Sequence, residues 1–162
     1  MTSRASGYVR LSLVFLFVFL FVSVFCVAQR PWVLLGPEGG DARSLAYDPH
    51  DPSRILLGTS AGELYQSTDG GRQWSRFAHL GGGNDYVLDH VLFDPRDSNV
   101  IYAAGWSIEN NGGDTYVTRD GGKTWSTLPG MHGKSVRAMA IAASDPNTLV
   151  AGALDGVFRS RD

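Results

Sequence analysis

The stretch STDGGRQW at residues 67–74 recurs as TRDGGKTW at residues 118–125, and residues 160–162, SRD, begin the same motif again. A second shared segment lies upstream of each copy. It reads DPSRIL from Asp51, DSNVIY from Asp97 and DPNTLV from Asp145, so successive units are 46 and 48 residues apart. A repeat of this length indicates a row of similar structural units.

Each unit consists of short apolar runs separated by Gly, Asp and Pro turns. The first run of each unit ends at Tyr47, Phe93 or Ile141. Residues 29–162 contain no long stretch with apolar residues at helical spacing, so we expect almost no helix. The pattern predicts three or four short antiparallel strands per unit, which is the size of one propeller blade. We therefore expect an all-β fold of β-propeller blades, each a four-stranded antiparallel sheet.

The predicted repeats span about 30–77, 78–128 and 129–162, the last of them truncated. Propellers usually close with roughly four to eight blades, so three repeats predict an incomplete ring and the N-terminal part of a longer protein.

Residues 1–28 differ in composition from the rest of the chain. They contain two basic residues near the start, Arg4 and Arg10, and no charge from Leu11 to Ala28. This order predicts a signal peptide, while the length of the apolar run leaves an uncleaved membrane anchor open. Either reading places residues 29–162 outside the cytoplasm, in a secreted, periplasmic or cell-envelope location. Membrane contact is expected only through residues 11–28, and only if they are not removed.

Charge and cysteine content exclude several function classes. The whole chain has 14 Lys and Arg against 16 Asp and Glu, and the acid-free residues 1–28 leave the remainder more acidic still. We therefore expect no nucleic-acid partner, because phosphate binding depends on clustered basic residues. The only cysteine, Cys26, lies in the predicted signal peptide, which leaves no thiol for a disulfide, a metal or a nucleophile elsewhere.

The repeated motif resembles the Asp-box, or BNR-repeat, β-propellers, whose signature is Ser or Thr, any residue, Asp, any residue, Gly, two residues and Trp. The wider pattern is similar to the sortilin N-terminal propeller, the photosystem II assembly factor group and the xyloglucan-cleaving glycoside hydrolases. The resemblance implies that each box is a structural hairpin between the third and fourth strands. The motif residues are Ser67, Asp69, Gly71, Trp74, Thr118, Asp120, Gly122, Trp125, Ser160 and Asp162.

Catalytic residues are not identified by the sequence. The resemblance to xyloglucan-cleaving enzymes implies a catalytic Asp after the second strand, but Ser60 occupies that position here. A glycosidase needs two placed carboxylates, so we lean away from an enzyme. We expect a binding or assembly scaffold with a protein or peptide partner on the propeller rim. A carbohydrate-active or sugar-binding protein and a purely structural repeat module remain alternatives.

Three charged residues occupy equivalent positions, four residues before the end of the first run of each unit: Arg43, Asp89 and Arg137. The first strand of a propeller blade lines the central channel, so we expect these side chains to meet at the channel mouth. They could bind a ligand there, or the two arginines could simply pair with Asp89. His90 follows Asp89, but no second histidine is in phase, so we expect no metal and no cofactor.

Overall fold

The computed structural model describes residues 31–37 and 41–160. The chain divides into two compact units, Met1–Leu34 and Leu35–Asp162. Residues 31–34, the described part of the first unit, form neither helix nor strand. The predicted signal peptide lies outside the described residues. All strands described below belong to the second unit.

The second unit is built from antiparallel strands, which confirms the all-β prediction. The first sheet has the order β1-β2-β3-β4, with strands Ala42–Tyr47, Ile55–Thr59, Glu63–Ser67 and Ser75–His79. The second has the order β5-β6-β7-β8, with strands Tyr86–Phe93, Ile101–Ser107, Gly113–Thr118 and Ser126–Thr127. The described residues contain a single short 3-10 turn, Pro129–Met131, and no α-helix.

The third sheet has three strands within the described residues, in the order β11-β10-β9. They are Val136–Ala142, Asp145–Ala153 and Gly156–Ser160 for β9, β10 and β11. The sequence indicates a turn at Asp145-Pro146, but here strand pairing continues to Ala142 opposite Asp145. Ile141 pairs with Leu149, and the Ala142–Asp145 pair follows only after a shift in register, so the third sheet has an additional tight turn at Ala143 and Ser144.

The sheets stack through their first strands, because β5 contacts both β1 and β9. Side chains of the first two sheets form one shared apolar core, in which Leu56, Leu64, Leu88 and Ile101 are fully buried. A smaller core lies between the second and third sheets and contains Val136, Met139 and Ala151. A sheet that is apolar on both faces needs a neighbour on each side, and the second sheet has both.

A buried carboxylate also links the first two sheets. Asp48, at the end of β1, accepts hydrogen bonds from Ser98 Oγ of the second sheet (2.5 Å) and from Arg54 Nη1 (3.2 Å). Burial alone would raise the pKa of Asp48, but the bonds from Ser98, the His50 amide and Arg54 outweigh it and lower the pKa below its usual value. Asp48 therefore stays ionised in the interior.

Each complete Asp-box forms a hairpin, β3–β4 or β7–β8. In the first, Asp69 Oδ1 accepts hydrogen bonds from the backbone N–H groups of Arg72 and Gln73, both at 2.9 Å. Ser67 Oγ accepts from the Gly71 amide at 2.8 Å, and Gly71 has a φ of 90°, which favours glycine. The bonds from the Gln73 amide and the Ser67 hydroxyl lower the pKa of Asp69.

The second box repeats this geometry with an added hydroxyl. Asp120 accepts hydrogen bonds from both the amide (2.9 Å) and the hydroxyl (2.6 Å) of Thr124, and these bonds hold its pKa well below the usual value. Thr118 Oγ1 accepts from the Gly122 amide at 2.9 Å. Of the third box, Ser160 ends β11 and Asp162 lies outside the described residues. The stabilising role of the boxes stays a prediction.

Candidate functional site

The three charged residues predicted at the channel mouth all lie in the first strand of their sheet, and each coincides with a β-bulge. Arg43 has no cross-strand partner, because Ala42 pairs with Thr59 and Ser44 already pairs with Gly58. The pairing shifts in the same way around Asp89 and around Arg137. A bulge inserts an extra residue and redirects its side chain, and bulges are common beside binding sites.

These residues are joined through an indole that the sequence did not link to them. Arg43 Nε lies 3.5 Å from Asp89 Oδ1, and Trp106 Nε1 donates a hydrogen bond of 2.6 Å to Asp89 Oδ2. The guanidinium of Arg137 lies 3.5 Å from the centre of the Trp106 ring, a close cation–π contact. We call Arg43, Asp89, Trp106 and Arg137 the inner-strand cluster. It connects all three sheets.

The two arginines of the cluster are in different states. Arg43 is paired with Asp89 and lies 3.8 Å from Asp41, so its charge is largely balanced. Arg137 is exposed and forms no ion pair with any described residue. Arg43 thus pairs with Asp89, whereas Arg137 contacts the Trp106 ring. An uncompensated guanidinium, held by an aromatic ring, faces solvent at this site.

Hydrogen bonds from the residues after the bulges fix the inner strands to each other. Ser44 Oγ donates to the Leu88 carbonyl at 2.7 Å, and His90 Nε2 lies 2.9 Å from the Arg137 carbonyl oxygen. The second contact engages the ring of His90, for which the sequence predicts no metal. Within residues 31–37 and 41–160, no three His, Cys, Asp or Glu side chains come together as metal ligands. The same contacts limit backbone movement beneath the cluster.

The first two sheets also carry two carboxylate–histidine pairs. Glu63 Oε1 lies 3.1 Å from His79 Nδ1, and Asp114 Oδ1 lies 2.8 Å from His132 Nδ1. Glu63 and Asp114 hold equivalent positions, each two residues before a tyrosine, Tyr65 in β3 and Tyr116 in β7. Ser60, where the resemblance implies a catalytic Asp, lies in the β2–β3 turn and its amide donates to the Asp41 carbonyl at 3.3 Å.

Sequence reasoning found the three charges but missed two features of the site. The bulges depend on strand register, which the composition of a strand does not specify. Trp106 lies outside the box motifs, so the repeat pattern gives it no role. Its position near the end of β6, next to the strand that carries Asp89, is the signal that could have linked it to the cluster.

No helix among the described residues is long and apolar enough to cross a membrane. The predicted signal peptide or membrane anchor lies outside the described residues.

Known proteins with similar sequences include xyloglucanases and sorting proteins. A probable oligoxyloglucan-reducing end-specific xyloglucanase of Neosartorya fischeri is 33% identical over 98 residues, which are 59% of this chain and 11% of the enzyme. A vacuolar protein sorting/targeting protein 10 of Aspergillus fumigatus is 32% identical over 85 residues, 52% of this chain and 5% of that protein. The matches therefore span only a small part of these relatives.

The fold is also found in a solved structure described as YCF48 bound to D1 peptide. It superposes with a TM-score of 0.63 at 21% identity and covers 84% of this chain and 41% of that one. Identity at this level shows a common β-propeller fold and no more. The family model described as "Sortilin-Vps10: Sortilin, neurotensin receptor 3" matches residues 32–152. Because that match covers most of the chain, the protein belongs to the Sortilin-Vps10 family.

Proposed function

We propose that this chain is an exported binding module, or assembly scaffold, whose inner-strand cluster holds an acidic segment of a protein partner. The observation that carries the proposal is the state of Arg137, an exposed guanidinium supported by Trp106 and without a carboxylate partner among the described residues. Arginine binds carboxylates through paired N–H donors, and a guanidinium already positioned on an aromatic ring loses less freedom on binding.

The rest of the cluster keeps this arginine in place. Asp89 accepts the indole N–H of Trp106 and so orients the ring beneath Arg137. Arg43 balances the charge of Asp89, which would otherwise attract Arg137 away from the ring. The arrangement leaves one cation for a ligand, and that is the charge balance expected of a site for an acidic group.

Relatives support a macromolecular partner. One similar structure is described as bound to a peptide, and one relative is described as a sorting/targeting protein. Export is proposed from residues 1–28, whose charged start and apolar run follow the pattern of a signal peptide. A partner would then be met outside the cytoplasm.

The proposal is tested by titrating the chain with an array of ten-residue peptides that contain Asp and Glu. We expect Arg137→Ala to weaken binding by roughly tenfold or more, and added salt to weaken it further, because the contact is ionic and exposed. Arg119→Ala is the matched control, since Arg119 is also exposed but lies in the second Asp-box hairpin. Equal losses in the two variants would show that binding follows net charge and not this site.

A carbohydrate-active role is the second candidate, favoured by the identity to a xyloglucanase and by the half-buried Trp106 ring, a residue type that stacks on sugars. Asp89 would supply one acid, but it is engaged by Arg43 and Trp106, and Ser60 replaces the other expected acid. Incubation with xyloglucan oligosaccharides distinguishes the candidates. Release of new reducing ends that Asp89→Asn abolishes would favour the enzyme.

A further inference from the structure

Alternate residues of β6 face opposite neighbouring sheets. Ile101 and Ala103 are buried in the core shared with the first sheet, whereas Ala104 is buried in the core between the second and third sheets. Trp106 continues the second set, because its ring contacts Arg137 of the third sheet. The even-numbered residues at this end of β6 therefore face the third sheet.

Ile108 lies just beyond the end of β6 but keeps the strand geometry. Tyr86 pairs with Ser107, and the Ile108 amide donates to the Asp85 carbonyl at 3.0 Å, which extends the pairing of β5 with β6 by one residue. Ser107 is buried and Ile108 is 57% exposed, as the alternation of a strand predicts. Ile108 therefore stands on the same face as Trp106, about 6.5 Å farther along the strand.

Hydrogen bonds hold the backbone around Ile108 in place. Ser107 Oγ accepts from the Glu109 amide at 3.2 Å and donates to Asp85 Oδ2 at 2.5 Å. The Ser107 amide donates to the Gly112 carbonyl at 2.8 Å, which closes the β6–β7 loop. An exposed apolar side chain on such a loop is a pre-organised contact surface, because little backbone freedom is lost when a ligand packs against it.

The charges near Ile108 differ from the charge above the Trp106 ring. Arg137, on the ring, is exposed and forms no ion pair with any described residue. Asp85 is paired with Ile108 through the backbone, and Glu109 is the next residue in the chain. The hydrogen bond from Ser107 lowers the pKa of Asp85, which keeps this carboxyl ionised at neutral pH. An acidic ligand group is therefore attracted to Arg137 and repelled near Ile108, where an apolar group fits better.

On the basis of the proposed function, in which Arg137 holds the acid, we propose that the partner segment is extended and carries an apolar residue two positions from its acidic residue. The carboxylate pairs with Arg137 above the Trp106 ring, and the apolar side chain packs on Ile108. Side chains two residues apart on an extended peptide lie on one face, about 6.5 Å apart, which matches the spacing of Trp106 and Ile108. A spacing of one or three residues directs the two side chains to opposite faces.

Peptides that contain a single acid test the spacing. Ten-residue peptides with blocked ends are built on Gly and Ser, with one Glu and one Leu placed one, two, three or four positions apart in both orders. The reference peptide has Ser in place of the Leu. The shift of the Trp106 indole N–H in two-dimensional NMR gives each dissociation constant, for weak binding as well as for strong. We expect one order of the two-position spacing to bind roughly tenfold more tightly than the reference peptide, and the other spacings to bind within about twofold of it.

Replacing Ile108 tests the apolar contact itself. We expect Ile108→Ala to reduce the advantage of the best peptide over the reference from roughly tenfold to about twofold or less, because the apolar area that it buries is lost. Leu45→Ala is the matched control. Leu45 is similarly exposed, at 62%, but lies in β1 of the first sheet, so this variant is expected to keep the full advantage. The NMR spectra of both variants also show whether the sheets are intact.

Replacing Arg137 separates the paired recognition from the proposed function. If Arg137→Ala weakens every peptide, while neither the spacing nor Ile108→Ala has an effect, the paired recognition is wrong and the site for an acid stands. If Arg137→Ala leaves all affinities unchanged, or if no peptide shifts the Trp106 signal, both are wrong.

Discussion

All five residues of β2 in the first sheet are buried, whereas β11 in the third sheet has no buried residue and β9 and β10 have only two each. Both regions come from the same repeat and carry similar apolar residues. The difference lies in the neighbours: the first two sheets share a core of large side chains, while the third contacts the second through a smaller one. In repeat folds much of the stability comes from such interfaces, so equivalent residues need not contribute equally.

The largest difference in the loss of unfolding free energy is expected between substitutions of Ile101 and Leu149. They hold the same position, since Ile101 pairs with Phe93 and Leu149 pairs with Ile141. Ile101 is fully buried and Leu149 only half-buried. We expect Ile101→Ala to lower the unfolding free energy by about 4 kcal/mol and Leu149→Ala by about 1 kcal/mol, because only the first leaves a closed cavity. Urea titrations measure both, and equal losses would contradict the contrast.

A smaller contrast is expected between the two box indoles. Trp125 packs against the shared core and Phe77, whereas Trp74 donates its N–H to the Gly71 carbonyl and lies outside that core. Trp125→Ala should cost about 3 kcal/mol and Trp74→Ala about 1 kcal/mol, measured in the same titrations. A loss below about 1 kcal/mol for Trp125→Ala would mean that the box indole is not a packing element.

The smallest difference in stability is expected between the losses of two hydrogen bonds that link neighbouring sheets. Ser98 Oγ donates a hydrogen bond to the buried carboxylate of Asp48. Asn147 Oδ1, in the third sheet, accepts an exposed hydrogen bond of 2.9 Å from Arg96 Nη1. Removing a donor from a buried carboxylate should cost about 1.5 kcal/mol in Ser98→Ala, against about 0.5 kcal/mol or less in Asn147→Ala. Thermal unfolding of the two variants provides the comparison. A larger shift in melting temperature for Asn147→Ala would reverse it.

The sequence predicted the sheets better than the site. The box motif carries local turn chemistry, and the family resemblance implied that Asp69 and Asp120 lie in hairpins. The phase of the repeat also brought Arg43, Asp89 and Arg137 to equivalent strands. The contact of Arg137 with Trp106 could not be predicted in this way, because it joins residues of different sheets and depends on a bulge in β9. The additional turn at Ala143 and Ser144 was missed because the Asp145-Pro146 pair resembles the turns of the earlier units.

We propose that the inner-strand cluster, and not the box hairpins, is the binding surface. Two-dimensional NMR of the labelled chain during titration with an acidic ten-residue peptide tests it most directly. We expect the largest shifts at the Trp106 indole N–H and at the amides of residues 43–44, 88–90 and 137. Shifts confined to the box hairpins, residues 67–74 and 118–125, would contradict it.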